Sequence, residues 1–465
     1  MLRSIGSVTV LALLMVGCGG GGGGSSGSSV TSGPPYTVGG TVSGLLGSGL
    51  TLAICPPGGT ERNPPPPCHS LLQVSANGAF TLDYGYSAGY SGGDHVIITQ
   101  QPSSPTQRCW IFNAAVSIQN ANDTSVTVSC LAGYSYVTNA ADNTVSSYSI
   151  DATTGALAAI GAPTATGVSP HAIVGFECCS DGDALKRYVY VGNEGSNDIS
   201  AFAVNAATGA LTAVPGSPFA AGTDPQGMTL YGSLLFVANA GSDNVSTYGI
   251  DLSTGALIAE PGSPVAVGKS PTSIVADPYT GIVFVANHGG SNDISAFAIF
   301  GLTPVPGSPF PAGGNPLSLA VGFSQGGSFL YTANPDATNP SISGFSVDSG
   351  TGAFSPLGGS PFPLPVSNYI ATVGTYLYVT SGASILGYAS DIATGALTAL
   401  PGFPVSAGAN AYSVSIDLTN QFLYVANDGA ANISGFRLDA STGALTPMAG
   451  SPFPAGNHPG FITTF

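Results

Sequence analysis

Three observations predict an all-β fold: an unusual composition, a strand motif that returns seven times, and a turn motif that returns between its copies. Charged residues make up only 6% of the 465 positions, against about 25% in an ordinary soluble domain, yet 43% are hydrophobic. A disordered chain would be poor in apolar residues, so disorder is excluded. The 67 glycines and 36 prolines, set among Val, Tyr, Phe, Ser, Thr and Asn, point to short strands joined by tight turns.

The strand motif is an aromatic residue followed in most copies by Val-x-Asn. It reads "YVTN" at Tyr136, "YVGN" at Tyr190, "FVAN" at Phe236 and Phe284, "YTAN" at Tyr331, "YVTS" at Tyr378 and "YVAN" at Tyr424. Successive copies lie 54, 46, 48, 47, 47 and 46 residues apart. A unit of that length holds four short strands and their turns, which is one blade of a β-propeller.

Each unit has the same grammar. Strand A follows a proline, as in "PTSIVAD", and strand B ends in the aromatic motif. Strand C has the form "NDISAFAV", and strand D follows "TGAL" and leads to "PGSPF". Strand B is apolar almost throughout ("SLLFVAN"), as expected when neighbours cover both faces of a sheet. "TGAL" recurs at Thr154, Thr208, Thr254, Thr394 and Thr442, with "TGAF" at Thr351. Its Asp-x-x-Thr-Gly lead-in supplies a side-chain acceptor and a glycine able to take positive φ, so its recurrence reports turn geometry. The fourth unit shortens this hairpin to "FGL".

The first unit begins at strand B, and the final "HPGFITTF" is a strand A with no B after it. One completes the other. The terminal strand is therefore expected to close a seven-bladed ring over residues 131–465, hiding sheet edges that would otherwise be open.

Residues 36–130 differ. "YTVGGTVSGLLGSGLTLAI", "NGAFTLDY", "HVIITQQP" and "SVTVSC" read as strands of a small β-sandwich without a chemical constellation. Trp110, His69 and His95 are expected as scattered loop residues there. Six cysteines follow Cys18, an even number that favours disulfides in an exported chain. Local pairing, Cys55 with Cys68 and Cys109 with Cys130, is the expectation, although sequence does not fix connectivity. Cys178 and Cys179 are either a vicinal bridge or a reduced pair.

At the N-terminus, Arg3, an apolar run from Val8 to Val16 and small residues before Cys18 have the proportions of a signal peptide over residues 1–17. "MVGC" resembles a bacterial lipobox, which implies lipidation of Cys18; ordinary cleavage nearby is the alternative. The Gly/Ser-rich 18–35 stretch is a tether. These features make an exported bacterial lipoprotein of the outer membrane, cell surface or periplasm, bound to membrane through the lipid alone.

The formal charge of −16, with seven Lys or Arg, excludes a nucleic-acid binder, which needs a basic footprint. It also opposes anionic phosphosugars.

The seven "YVxN … VSxYxID … TGAL … PGSPF … P" units resemble the lactonase-type seven-bladed β-propellers, which include 6-phosphogluconolactonase-like proteins and YVTN-repeat surface proteins. The resemblance covers about 136–465 and leaves out the sandwich. It implies either a sugar-lactone hydrolase or an exported protein without catalysis.

In a propeller the D–A and B–C loops share one face around the central channel. The D–A loops bring Ser169, His171, Asp224, Lys269, Asn315, Asn410, Asn457 and His458. The B–C loops add Asp142, Glu194, Asp243, His288, Asp336 and Asp428. For lactone hydrolysis, His171, Glu194, His288 and His458 are the candidate bases, with Lys269 or Arg187 to stabilise an oxyanion. No G-x-S-x-G or H-E-x-x-H motif accompanies them. Asp224, Asp243, Asp336, Asp428 and Glu194 are oxygen ligands suited to Ca²⁺, but their spacing matches no calcium loop, so no metal or cofactor is expected. Turn-forming Asn and Asp explain "NAGSDN" and "NDGAAN" as well.

A monomeric scaffold that displays this face to a protein or carbohydrate ligand is the first expectation. Lactone hydrolysis at the central channel is the alternative.

Overall fold

The structure is a computed structural model. It describes residues 36–45, 48–55, 68–86, 90, 93–100, 102, 107–112, 114–118, 121–131, 133–179, 185–323, 327–336, 338–365 and 368–465. The expected leader, Cys18 and the tether lie outside them, as do the side chains of His69, Trp110 and Cys179.

Residues 36–131 form two sheets. One orders the strands Gly78–Tyr86, Tyr36–Ser43, Asp123–Leu131 and Arg108–Phe112, and the other His69–Val74, Leu50–Cys55 and His95–Gln100. Val38, Leu82, Val126 and Val128 of the first share one apolar core with Leu52, Ile54 and Val96 of the second. Disulfides join Cys55 to Cys68 and Cys109 to Cys130. His69, His95 and Trp110 lie in strands, not in loops as the sequence reading had them. Two strands, His69–Val74 and Arg108–Phe112, were not anticipated, because each is short and lacks clean alternation.

Seven antiparallel sheets follow, one per repeat. Their A strands are Pro459–Thr464, Pro170–Cys179, Pro225–Tyr231, Pro271–Asp277, Ser318–Phe323, Ile370–Val373 and Ala411–Ile416, numbered here as blades 1 to 7. Each touches the A strand of the next blade, and the last touches the first. The ring is closed. In blade 1 the closing strand pairs with Gly133–Asn139, in the register Pro459 to Asn139 and Thr464 to Ser135. The first and last strands of the propeller thus share a sheet, as the incomplete first and last repeats predict.

The repeated residues have identifiable tasks. The aromatic hydroxyl of strand B donates to the glycine carbonyl of the "TGA" hairpin in the next blade. Tyr136 reaches Gly209 (2.8 Å), Tyr190 Gly255 (2.9 Å), Tyr331 Gly395 (2.8 Å), Tyr378 Gly443 (2.7 Å) and Tyr424 Gly155 (2.7 Å). The last bond joins blade 7 to blade 1. Gly155 has φ +76°, and a Cβ there would lie 2.5 Å from Phe422, so glycine is required for both reasons. Blade 3 has Phe236 instead, and the blade it faces is the one whose hairpin is shortened to Phe300-Gly301-Leu302.

The buried Asn that ends strand B fastens the B–C hairpin. Asn139 Nδ2 donates to Thr144 and Ser146, and Asn427 Nδ2 to Asn432 and Ser434. Strand D is broken in two in most blades, and the serine of "GSPF" patches the gap. Ala201 N donates to Ser217 Oγ, and Thr247 N to Ser263 Oγ.

Candidate functional site at the channel mouth

Strand A enters the ring at the face formed by the D–A and B–C loops, and a group of ring and amide side chains lies near its first residue. In blades 1, 2, 3, 6 and 7 these are Phe461, His171, Gln226, Tyr369 and Tyr412, each within two residues of the one that opens the strand. His171 of blade 2 packs edge-on to Phe461 (4.8 Å between ring centres) and hydrogen-bonds Tyr412 of blade 7. Tyr369 of blade 6 packs against Phe461 of blade 1 at 4.9 Å. The His171–Tyr412 and Tyr369–Phe461 contacts each skip a blade, so these rings meet across the channel.

A directed hydrogen-bond chain runs through them. The Gln226 carbonyl can only accept, which assigns the His171 proton to Nδ1 (3.0 Å) and leaves Nε2 to accept from the Tyr412 hydroxyl (2.9 Å). Tyr369 donates in turn to the Tyr412 oxygen at 3.0 Å. Burial pushes the His171 pKa down, so the imidazole is neutral, and burial pushes both phenols up. Thr138 Oγ1 fixes the strand from behind by donating to the His171 carbonyl.

Beside this floor stand two carboxylates. Glu194 follows the strand B motif of blade 2, and its backbone N–H donates to Ser169 at 2.9 Å. Its pKa is raised, first by burial and then by the charge of Asp224, while a bond from the Gln226 side chain acts the other way. Gln226 Nε2 also donates to Asp224 Oδ1 at 2.7 Å. Glu194 is close enough to Tyr369 and Tyr412 to raise both phenols electrostatically. A carboxyl held above its ordinary range beside a second carboxylate is a group poised to take and return a proton.

The remaining anticipated residues are placed apart from this pair. His458 lies on the same face, exposed, with Nδ1 2.9 Å from Asp428, which also accepts from Asn410. Asp142 accepts from the Asn457 backbone and side chain. Asp243 takes the Ser270 N–H and, at 2.5 Å, the Lys269 ammonium, which holds its carboxyl below the usual range. Asp336 closes its own turn through Thr338. His288 sits near Asn315 (3.4 Å), its pKa lowered by burial and partly restored by the Pro316 carbonyl. These acidic loops fasten one another. Among the described residues no three His, Cys, Asp or Glu side chains gather as a metal site.

Arg187 does not face the mouth. It lies near the start of strand B, six residues before Asn193, at the opposite face, bonded to Glu177 and packed over Tyr134 and Phe465. Strand direction decides this, since about 3.3 Å per residue separates the two ends. Cys178 is near that far face too, its Sγ 3.8 Å from the Leu252 carbonyl.

Sequence reasoning missed Gln226, Tyr369, Tyr412 and Phe461. For Gln226 and Tyr412 the available signal was position, the residue after the one that opens strand A, which His171 occupies in "PHA"; Tyr369 and Phe461 lie one residue before and two after the opening residue, and no such signal marks them.

Comparison with known proteins agrees with this fold. Residues 132–261 match the family described as "Lactonase, 7-bladed beta-propeller". Similar solved structures include the periplasmic gluconolactonase of Pseudomonas aeruginosa, at 18% identity and a TM-score of 0.56, over 72% of this chain and 99% of that one. A Bacteroides uniformis protein provisionally assigned as a 6-phosphogluconolactonase gives 18% and 0.57, over 72% and 99%. A Lactobacillus plantarum protein gives 19% and 0.57 over the same shares. No curated protein matches the sequence. Residues 133–465 form a seven-bladed β-propeller, and the stretch 132–261 of this chain matches the lactonase-type family of that fold.

Proposed function

We propose that the protein hydrolyses a lactone at the channel mouth, with Glu194 as the proton-transfer group. The observation that carries this is the raised Glu194 carboxyl, set beside Asp224 and over the Tyr369–Tyr412–His171 chain. Glu194 takes a proton as water adds to the lactone carbonyl, and returns it to the ring oxygen as the acyl C–O bond breaks. The product is a hydroxy acid. Both nitrogens of His171 are engaged, so its part is to hold the aromatic floor and not to meet water itself. The lactonase-type fold supports the reading.

Glu194→Gln should abolish hydrolysis of sugar lactones by the 35–465 fragment, above spontaneous background, without loss of folding. Unchanged turnover would remove Glu194 from the mechanism, and a wild-type protein inert toward the whole lactone panel would end the hydrolase reading.

A second reading is favoured by the fastening of the mouth loops through Asp142–Asn457, Asp243–Ser270 and Asn410–Asp428–His458. Such a rigid face suits display to a protein or carbohydrate ligand. In either reading we place the protein outside the cytoplasm, anchored through Cys18. Two disulfides support export. Cys18→Ala should move it from the membrane fraction to the soluble one, and continued membrane association would count against the lipid anchor.

A further inference from the structure

Cations are sorted between the two propeller faces. Four Lys or Arg residues lie in the described propeller, and three are committed away from the mouth. Lys186 Nζ donates to the Ser253 carbonyl (2.6 Å) and Arg437 Nη1 to the Thr153 carbonyl (3.2 Å), both in C–D hairpins of the opposite face. Arg187 is buried against Glu177. Lys269 alone is on the mouth face, and its ammonium is held by Asp243. The loops of the same face also carry Asp142, Glu194, Asp224, Asp336 and Asp428.

We infer that the site selects uncharged polyhydroxy lactones and rejects their phosphorylated counterparts, an inference that rests on the hydrolase reading above. Among the described residues, a phosphate brought to this mouth finds no Lys or Arg that is not already paired with a carboxylate, and several carboxylates repel it. The same field acts after the chemistry. Water adds across the ester: the water oxygen bonds the carbonyl carbon, the ring C–O bond breaks, and the ring oxygen takes the proton. The new carboxyl then ionises into the bulk. A neutral substrate thus leaves as an anion from an anionic mouth, so product is driven out and inhibits weakly.

The test measures kcat/KM for D-glucono-δ-lactone and for its 6-phosphate, each corrected for spontaneous hydrolysis. It uses about 0.02 M and about 0.5 M salt, which span weak and strong screening. The neutral lactone should be preferred by about tenfold or more at low salt, and the preference should narrow at high salt. Asp243→Asn keeps the acceptor for Ser270 but releases Lys269, and should raise kcat/KM for the phosphorylated lactone severalfold while leaving the neutral one unchanged. A preference for the phosphorylated lactone would overturn the inference and leave the hydrolase reading standing. So would a neutral preference that neither salt nor Asp243→Asn alters, because its cause would not be charge. If neither lactone is turned over, the hydrolase reading falls and the inference falls with it.

Discussion

The Tyr369–Tyr412–His171 chain predicts a non-additive pair of substitutions. Tyr412→Phe removes the hydroxyl that accepts from Tyr369 and donates to His171 Nε2, both of them buried. Two polar groups are stranded at once, and at about 1–3 kcal/mol for each unsatisfied buried group the expected loss is about 2–6 kcal/mol. Tyr369→Phe strands nothing of the kind, because Tyr412 still donates to His171, and should cost about 1 kcal/mol. In the double variant the hydroxyl stranded by Tyr412→Phe no longer exists. Its stability should therefore be no worse than that of Tyr412→Phe alone, a coupling of about 1–2 kcal/mol. Chemical denaturation of the four proteins, read at constant m-value, measures this. Costs that simply add would show that the three groups do not act as a chain.

Other expectations follow from the same contacts. Tyr424→Phe should lose about 1 kcal/mol by deleting the bond to Gly155 that joins the last blade to the first; Phe236→Tyr, facing the shortened hairpin, should give no matching gain, and an equal gain would refute the clasp. Burial holds the folded pKa of His171 below 6.5, so below about pH 6.5 the unfolded chain binds a proton that the folded one refuses. That contribution is complete above 6.5 and is lost as pH falls through the window beneath it; His171→Asn should flatten this part of the stability–pH curve, and an unaltered slope would contradict it. Glu194 must be ionised to take a proton, so kcat/KM should rise with pH along a limb centred above 4.5, and a limb at or below that value would exclude it as the base. Deleting 459–464 removes the pairing partner of Gly133–Asn139, together with Ile462 and the Phe461 ring of the channel floor. It should lower stability by several kcal/mol, and an unchanged denaturation midpoint would refute closure by this strand.

Much of the fold was legible because it rests on local chemistry repeated seven times. Tyr136, Asn139, the Asp151-to-Gly155 turn and Ser217 each solve a hydrogen-bonding problem within one blade or with its neighbour, so spacing alone exposes them. The incomplete first and last repeats even named the strand that closes the ring. The sandwich was less legible, since His69–Val74 and Arg108–Phe112 belong to no repeat and lack strong alternation. The site was legible only in part. His171 and Glu194 stood out by residue type, but Tyr412 lies 241 positions from His171, and Arg187 looked as eligible as Lys269. The sequence by itself determined the strands, the turns and the count of blades of the propeller, because those depend on neighbours along the chain. Only the tertiary structure decided which side chains meet across the axis and which face each charge occupies, because the ring brings together residues that the repeat pattern treats as separate.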